Sequence, residues 1–116
     1  MKYNLEGKIF RSISNTVNSE VSSDTLFHYH QDGEIISAEY YGGIILKGHL
    51  IGKMLETGQL DFIYHHINKN LKLMAGKCLS TPELLPGGTL KFVEQWEWLS
   101  GDNSSGQSVI EEIDSV

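Results

Sequence analysis

The chain has 116 residues, 40% of them hydrophobic and 21% charged, which is one ordinary globular domain with a core large enough to need no staples. Its formal net charge of −6, with nine Lys and Arg scattered singly, excludes a phosphate-binding surface and with it a nucleic-acid partner. A single cysteine, Cys78, excludes an intrachain disulfide, and the longest apolar runs, such as Ile44-Ile45-Leu46, exclude a membrane-spanning segment. With no apolar stretch behind the charge at Lys2, a cytoplasmic location is expected.

In chain order, short apolar or alternating runs are punctuated by twelve glycines and two prolines. The first predicted strand is Lys8 to Ser14, followed by a polar stretch from Asn15 to Asp24. Thr25 to Gln31 and Glu34 to Tyr41 flank Asp32-Gly33, a strong hairpin signal because the turn needs φ > 0. Gly42-Gly43 leads into Ile44 to Met54, whose alternating set is Ile44, Leu46, Gly48, Leu50, Gly52 and Met54. The glycines there imply a bent strand, or close approach by another backbone or a ligand.

Thr57-Gly58 precedes Gln59 to Ile67, with Leu60, Phe62, Tyr64 and His66 on one face. Asn68-Lys69-Asn70 turns into Leu71 to Ser80, and Pro82 with Pro86-Gly87-Gly88 brackets the next loop. Thr89 to Leu99 carries Leu90, Phe92, Glu94, Trp96 and Trp98 inward, and Gln107 to Ile113 follows the loop from Ser100 to Gly106. No window holds a helical period for three turns. The expectation is an all-β antiparallel up-and-down meander of about eight strands, residues 1–116, closed into one small barrel.

Five histidines raise the question of a metal. His28-Tyr29-His30 with Glu34 resembles part of the first metal motif of cupins. A two-residue turn at Asp32-Gly33 sets Gln31 opposite Glu34, which puts Glu34 on the face of Tyr29 and Ile36, away from both histidines. His28 and His30 therefore face solvent, and no metal site is expected. His65 and His66 point to opposite faces. Cys78 reads as a buried, inert thiol, and Glu111-Glu112 as a strand edge bearing solvated charge.

Glu94 beside Trp96 and Trp98 is the most informative cluster. A carboxylate on an inward aromatic face must be paired, protonated or wet. One reading is a structural hydrogen bond to a Tyr or Trp donor near a barrel end, and the other is a ligand contact or acid/base group.

Phe10-Arg11-Ser12, Phe27-His28-Tyr29, Tyr41-Gly42-Gly43 and Gly48-His49-Leu50-Ile51-Gly52 occur in an order that also holds His66-Ile67-Asn68, Ser80-Thr81-Pro82-Glu83 and Trp96-Glu97-Trp98 with Ser100-Gly101-Asp102. Together they resemble small bacterial proteins that carry the name N-acetylglutamate synthase. The chain shows neither the Arg/Gln-x-x-Gly-x-Gly/Ala loop nor the following helix that acetyl-CoA binding of the usual acetyltransferase type uses. The meander also resembles the calycin-like barrels (lipocalins, avidins, fatty-acid-binding proteins), which implies a ligand cavity. Tyr29, Tyr40, Tyr64, His66, Glu94, Trp96 and Trp98 are the residues expected to line it. The avidin and lipocalin signature motifs are not present, so no particular ligand follows.

Three functions are compatible with these residues. The first is a binding module for a small organic ligand with one polar group, needing no cofactor. The second is an enzyme using Glu94 and His66 as acid and base. The third is an interaction protein with a filled barrel, for instance a homo-oligomer.

Overall fold

The computed structural model describes residues 3–113. Eight strands follow one another: β1 (Ile9–Asn15), β2 (Leu26–Asp32), β3 (Ile35–Gly42), β4 (Ile45–Met54), β5 (Leu60–Asn68), β6 (Leu73–Leu84), β7 (Leu90–Trp98) and β8 (Ser105–Ile113). Each pairs antiparallel with the next, and β8 pairs back onto β1, so the sheet is a closed barrel with no free edge. No helix occurs among the described residues, and none is therefore long and apolar enough to cross a membrane.

The alternation in the sequence becomes an inside and an outside. Leu90, Phe92, Glu94, Trp96 and Trp98 of β7 are all buried, as are Leu60, Phe62 and His66 of β5. His28 and His30 lie on the outer face of β2. Gln31 there pairs with Ile36 rather than Glu34, because the turn residues are Gly33-Glu34 and only Gly33 has positive φ (62°), as in a type II′ turn. The partner moves by two positions, and a move of two keeps every side chain on its face.

Three expectations are corrected. In β4 the pairing with β5 shifts between Ile45 and Lys47, so Ile45 turns inward while Ile44 and Leu46 are exposed. That bulge breaks the alternation on which the inward set was built. Second, β6 runs through Pro82 to Leu84. Its pairing with β5 ends at Leu60↔Ser80, so Pro82, paired only with Phe92 of β7, lies where β6 has a single neighbour and its missing N–H leaves no ladder bond broken. Third, Glu111 and Glu112 lie on no strand edge. β8 is flanked by β1 and β7, and Glu112 binds Lys8 Nζ at 2.9 Å and the backbone N–H of Leu90 at 3.0 Å.

Up-and-down connectivity puts the β1–β2, β3–β4, β5–β6 and β7–β8 loops at one end and the other connections at the opposite end. That opposite end is plugged. Leu5 is fully buried, Tyr3 packs on Phe92 and donates its hydroxyl to Gly58 O, and Phe10 meets Tyr29 at 5.2 Å and Phe92 at 5.2 Å. At the first end, the ten-residue β1–β2 loop from Thr16 to Thr25 folds over the mouth. It is pinned by Trp98 Nε1–H to Asn18 O (3.1 Å) and by Asn18 Nδ2–H to Ser105 O (2.9 Å). Beneath the strap the interior holds a cavity.

Candidate functional site

Beneath the strap is a space of about 430 Å³ including its mouth, with about 40 Å³ open to the centre of a water molecule. That is room for about three waters or the head of a small organic molecule. Tyr40, Tyr64, His66, Glu94, Trp96 and Trp98 line it together with Phe27, Leu50, Phe62, Cys78 and Ser108. Ser19, Glu20 and Val21 of the strap close it from above. Tyr29, expected here, sits instead in the plug below. Its ring stacks toward Phe92 at 6.3 Å, and its buried hydroxyl has no hydrogen-bond partner among the described residues.

Glycines shape this space. In the register, Tyr40 lies opposite Gly48, Tyr64 opposite Gly76, and Trp96 opposite Gly106. A Cβ at Gly48 would come within 2.5 Å of the Tyr40 ring, and one at Gly106 within 2.5 Å of the Trp96 indole; at Gly76 it would strike the end of Tyr64. Each aromatic ring therefore lies down across a neighbouring strand that has no side chain to hold it upright. The close approach expected at the β4 glycines is made by a ring at Gly48, and by the backbone of Asp61 and Phe62 at Gly52.

Two polar systems face the space. Near the mouth, Tyr40 Oη lies 2.9 Å from His66 Nδ1, and His66 Nε2 lies 2.8 Å from Glu20 Oε1. Asn68 donates to both Glu20 oxygens at 3.3 Å. Burial pulls the His66 pKa down, opposed by the Glu20 contact, and burial pushes the Tyr40 hydroxyl far up, so it keeps its proton. The tautomer that satisfies every partner has Tyr40 donating to Nδ1 and Nε2–H donating to Glu20. Both ring nitrogens of His66 are thus engaged, and Glu20 ties the strap to the barrel wall.

Deeper, Glu94 lies between Ser80 of β6 and Ser108 of β8, its two direct neighbours in the register. Ser80 Oγ donates to Glu94 Oε2 at 2.6 Å, a hydroxyl partner in place of the expected Tyr or Trp donor. Ser108 Oγ instead accepts the Trp96 indole N–H at 2.8 Å. Burial pushes the Glu94 pKa up to about 7, with the Ser80 hydrogen bond pulling the other way. Cys78 Sγ lies 3.7 Å from Ser80 Oγ, and burial followed by the field of Glu94 holds its thiol well above the usual range. It is a protonated, weakly nucleophilic lining group.

Ser80, Ser108 and Glu20 are site residues that the alternation pattern did not single out. The first two follow from register: Ser80 from a β6–β7 hairpin that closes at Leu84 and Leu90, and Ser108 from the β7–β8 pairing. Glu20 sits in a polar loop, and nothing local distinguishes it from other loop acids.

On the outer face, His30 lies 2.8 Å from Glu39 and 3.3 Å from Glu6, contacts that raise its pKa. His28 stacks on Tyr41 at 5.4 Å, and His49 and His65 meet edge to face at 5.9 Å. No group of three His, Cys, Asp or Glu side chains that could hold a metal ion occurs among the described residues.

A family model described as Avidin-like protein matches residues 3–113. No curated protein and no solved structure matches the chain, and the resemblance to proteins named N-acetylglutamate synthase is shown by no relative.

Proposed function

The chain belongs to the avidin-like family, and from that premise we propose that it is a binding module that holds a small organic molecule, apolar in body with one polar group, in the cavity beneath the β1–β2 strap. The observation that carries this reading is the pairing of an aromatic-lined cavity with a buried carboxyl, Glu94, that faces it with one hydroxyl partner among the described residues. Sites for small ligands have this composition: mostly apolar walls with a few placed polar groups that fix orientation.

The acid/base reading of Glu94 and His66 is the weaker one. Both nitrogens of His66 are committed to Tyr40 and Glu20, so neither offers a lone pair or proton to a ligand without dismantling the strap. A filled barrel acting only as an interaction protein is opposed by the cavity itself. Self-association remains part of the proposal. Ile51 and Ile63 are paired directly across β4 and β5 on the outer face and more than half exposed, the surface a second copy would cover. Sedimentation velocity comparing wild type with Ile51→Glu tests that part. The lone buried thiol needs no oxidising compartment and supports the cytoplasm as the location.

The chain's two tryptophans both line the cavity, so tryptophan fluorescence, excited at wavelengths where tyrosine does not absorb, reports on it. Titration with a panel of small amines, alcohols, amides and carboxylic acids, biotin included, is expected to give a saturable change for at least one class. That change should vanish in Gly48→Phe, whose ring would displace Tyr40. A panel with no saturable response from a folded protein overturns the reading.

A further inference from the structure

We propose that the ligand is a small organic cation, its ammonium head held against Glu94 and walled by the faces of Trp96, Trp98 and Tyr64. The inference rests on the binding-module reading above and goes beyond it by assigning the charge of the ligand.

Charge supports it first. Glu94 and Glu20 are the acidic residues lining the cavity, and no Lys or Arg lines it among the described residues. His66, the one other titratable base there, is held toward its neutral form by burial. An anionic ligand would enter against two carboxyl groups. A cation meets one at the mouth and one at depth, and the chain as a whole, at −6, favours its approach.

The state of Glu94 supports it next. Ser80 is its one hydrogen-bond partner among the described residues, and no cationic side chain offsets it. A buried carboxylate without a countercharge is expensive, which is why its pKa has climbed. The site therefore holds an uncompensated acid directly on a cavity, and a cationic ligand supplies the missing partner.

The walls supply the rest. Trp96 and Trp98 stand edge to face at 5.5 Å and 62°, and Tyr64 meets Trp98 at 5.7 Å and 65°. All three rings line the cavity, so an alkylammonium held there lies among aromatic side chains whose π-systems attract a cation. Neutral ligands gain apolar burial from the same walls but nothing from the carboxylate.

Groups facing Glu94 from the other strands stay in one protonation state between pH 5 and 9. Tyr29 on β2, Tyr40 on β3, Tyr64 on β5 and Cys78 on β6 all have raised pKa values, and Ser80 and Ser108 do not titrate. His66 and Glu20 at the mouth are the remaining titratable pair. Over the upper part of that range, the proton that matters to a permanently charged ligand is the one on Glu94.

The experiment compares matched pairs by tryptophan fluorescence: choline against 3,3-dimethylbutan-1-ol, and isopropylammonium against isopropanol for a smaller head. At pH 8 the cation of at least one pair is expected to bind ten or more times tighter than its neutral partner. Its affinity should fall by roughly tenfold per pH unit well below 7, since only the ionised carboxyl binds it. Calorimetry at pH 6 in buffers of different ionisation enthalpy should show release of close to one proton per cation bound. In Glu94→Gln, which keeps the size of the side chain and an acceptor for Ser80, both the preference and the proton release should disappear. Neutral partners binding as tightly as the cations at pH 8, or cation affinity independent of pH, overturns the charge assignment and leaves the binding module standing. Absence of any response from cations and neutral partners alike overturns both.

Discussion

Replacing Glu94 by Gln should make the folded protein more stable at alkaline pH, an unusual direction for a core substitution. Burial raises the carboxyl from 4.5 to about 7 on folding. The folded state thus holds its proton more tightly than the unfolded chain. The stability this confers is full below pH 4.5 and is lost as pH rises through 7. Across those 2.5 decades, at about 1.4 kcal/mol each, ionised Glu94 costs roughly 3 kcal/mol by pH 8 or above. Glutamine has nearly the same shape and still accepts from Ser80 Oγ, but has no charge to desolvate. Urea unfolding of both proteins at pH 4.5, 6, 7 and 8.5 isolates this one group, since all other titrations are common to both. The wild-type curve should fall away from the Glu94→Gln curve across this range, by about 3 kcal/mol at the top. Parallel curves would refute the reasoning, because they would mean that Glu94 is solvated or paired in the folded state.

Three further substitutions probe the same architecture. Tyr29→Phe removes a buried hydroxyl that has no partner among the described residues, so its unfolding free energy in urea should stay or rise, by up to about 1–3 kcal/mol; a loss above 1 kcal/mol would reveal a hidden partner. Gly48→Ala drives a Cβ to within 2.5 Å of the Tyr40 ring and should cost about 1–3 kcal/mol, as overpacking does. It should also break the Tyr40–His66 bond, so faster amide exchange at Asn18 to Val21 is the accompanying signature, and unchanged exchange and stability would show that the ring adapts. Trp96→Ala empties a buried indole site and strands Ser108, for an expected loss of about 3–5 kcal/mol in chemical denaturation; a loss under 1 kcal/mol would mean that the indole is not packed.

What the sequence determined by itself was the two-residue period and its punctuation. Leu90, Phe92, Glu94, Trp96 and Trp98 alternate without interruption, so their common inward face follows from the geometry of an extended strand, and Glu94 among aromatics is visible as an anomaly before any fold is drawn. The same logic put His28 and His30 outside, and survived a turn displaced by one residue because the register moved by two. Local pattern fails where the backbone breaks its own period. The β4 bulge reverses the faces of Ile44, Ile45 and Leu46, and Pro82 looks like a loop residue until β5 is seen to end beside Ser80. Tertiary structure alone decided the rest. Closure of β8 onto β1 chose one end to be plugged by Tyr3, Leu5, Phe10 and Tyr29, and left the cavity at the other. Cross-strand register laid Tyr40, Tyr64 and Trp96 over glycines, and brought Ser80 and Ser108 to either side of Glu94. Glu20, forty-six residues from His66 along the chain, became its partner only because the loop folds across the mouth. Alternation is a property of one strand, whereas depth in a barrel depends on how eight strands are staggered against one another, which no single strand encodes.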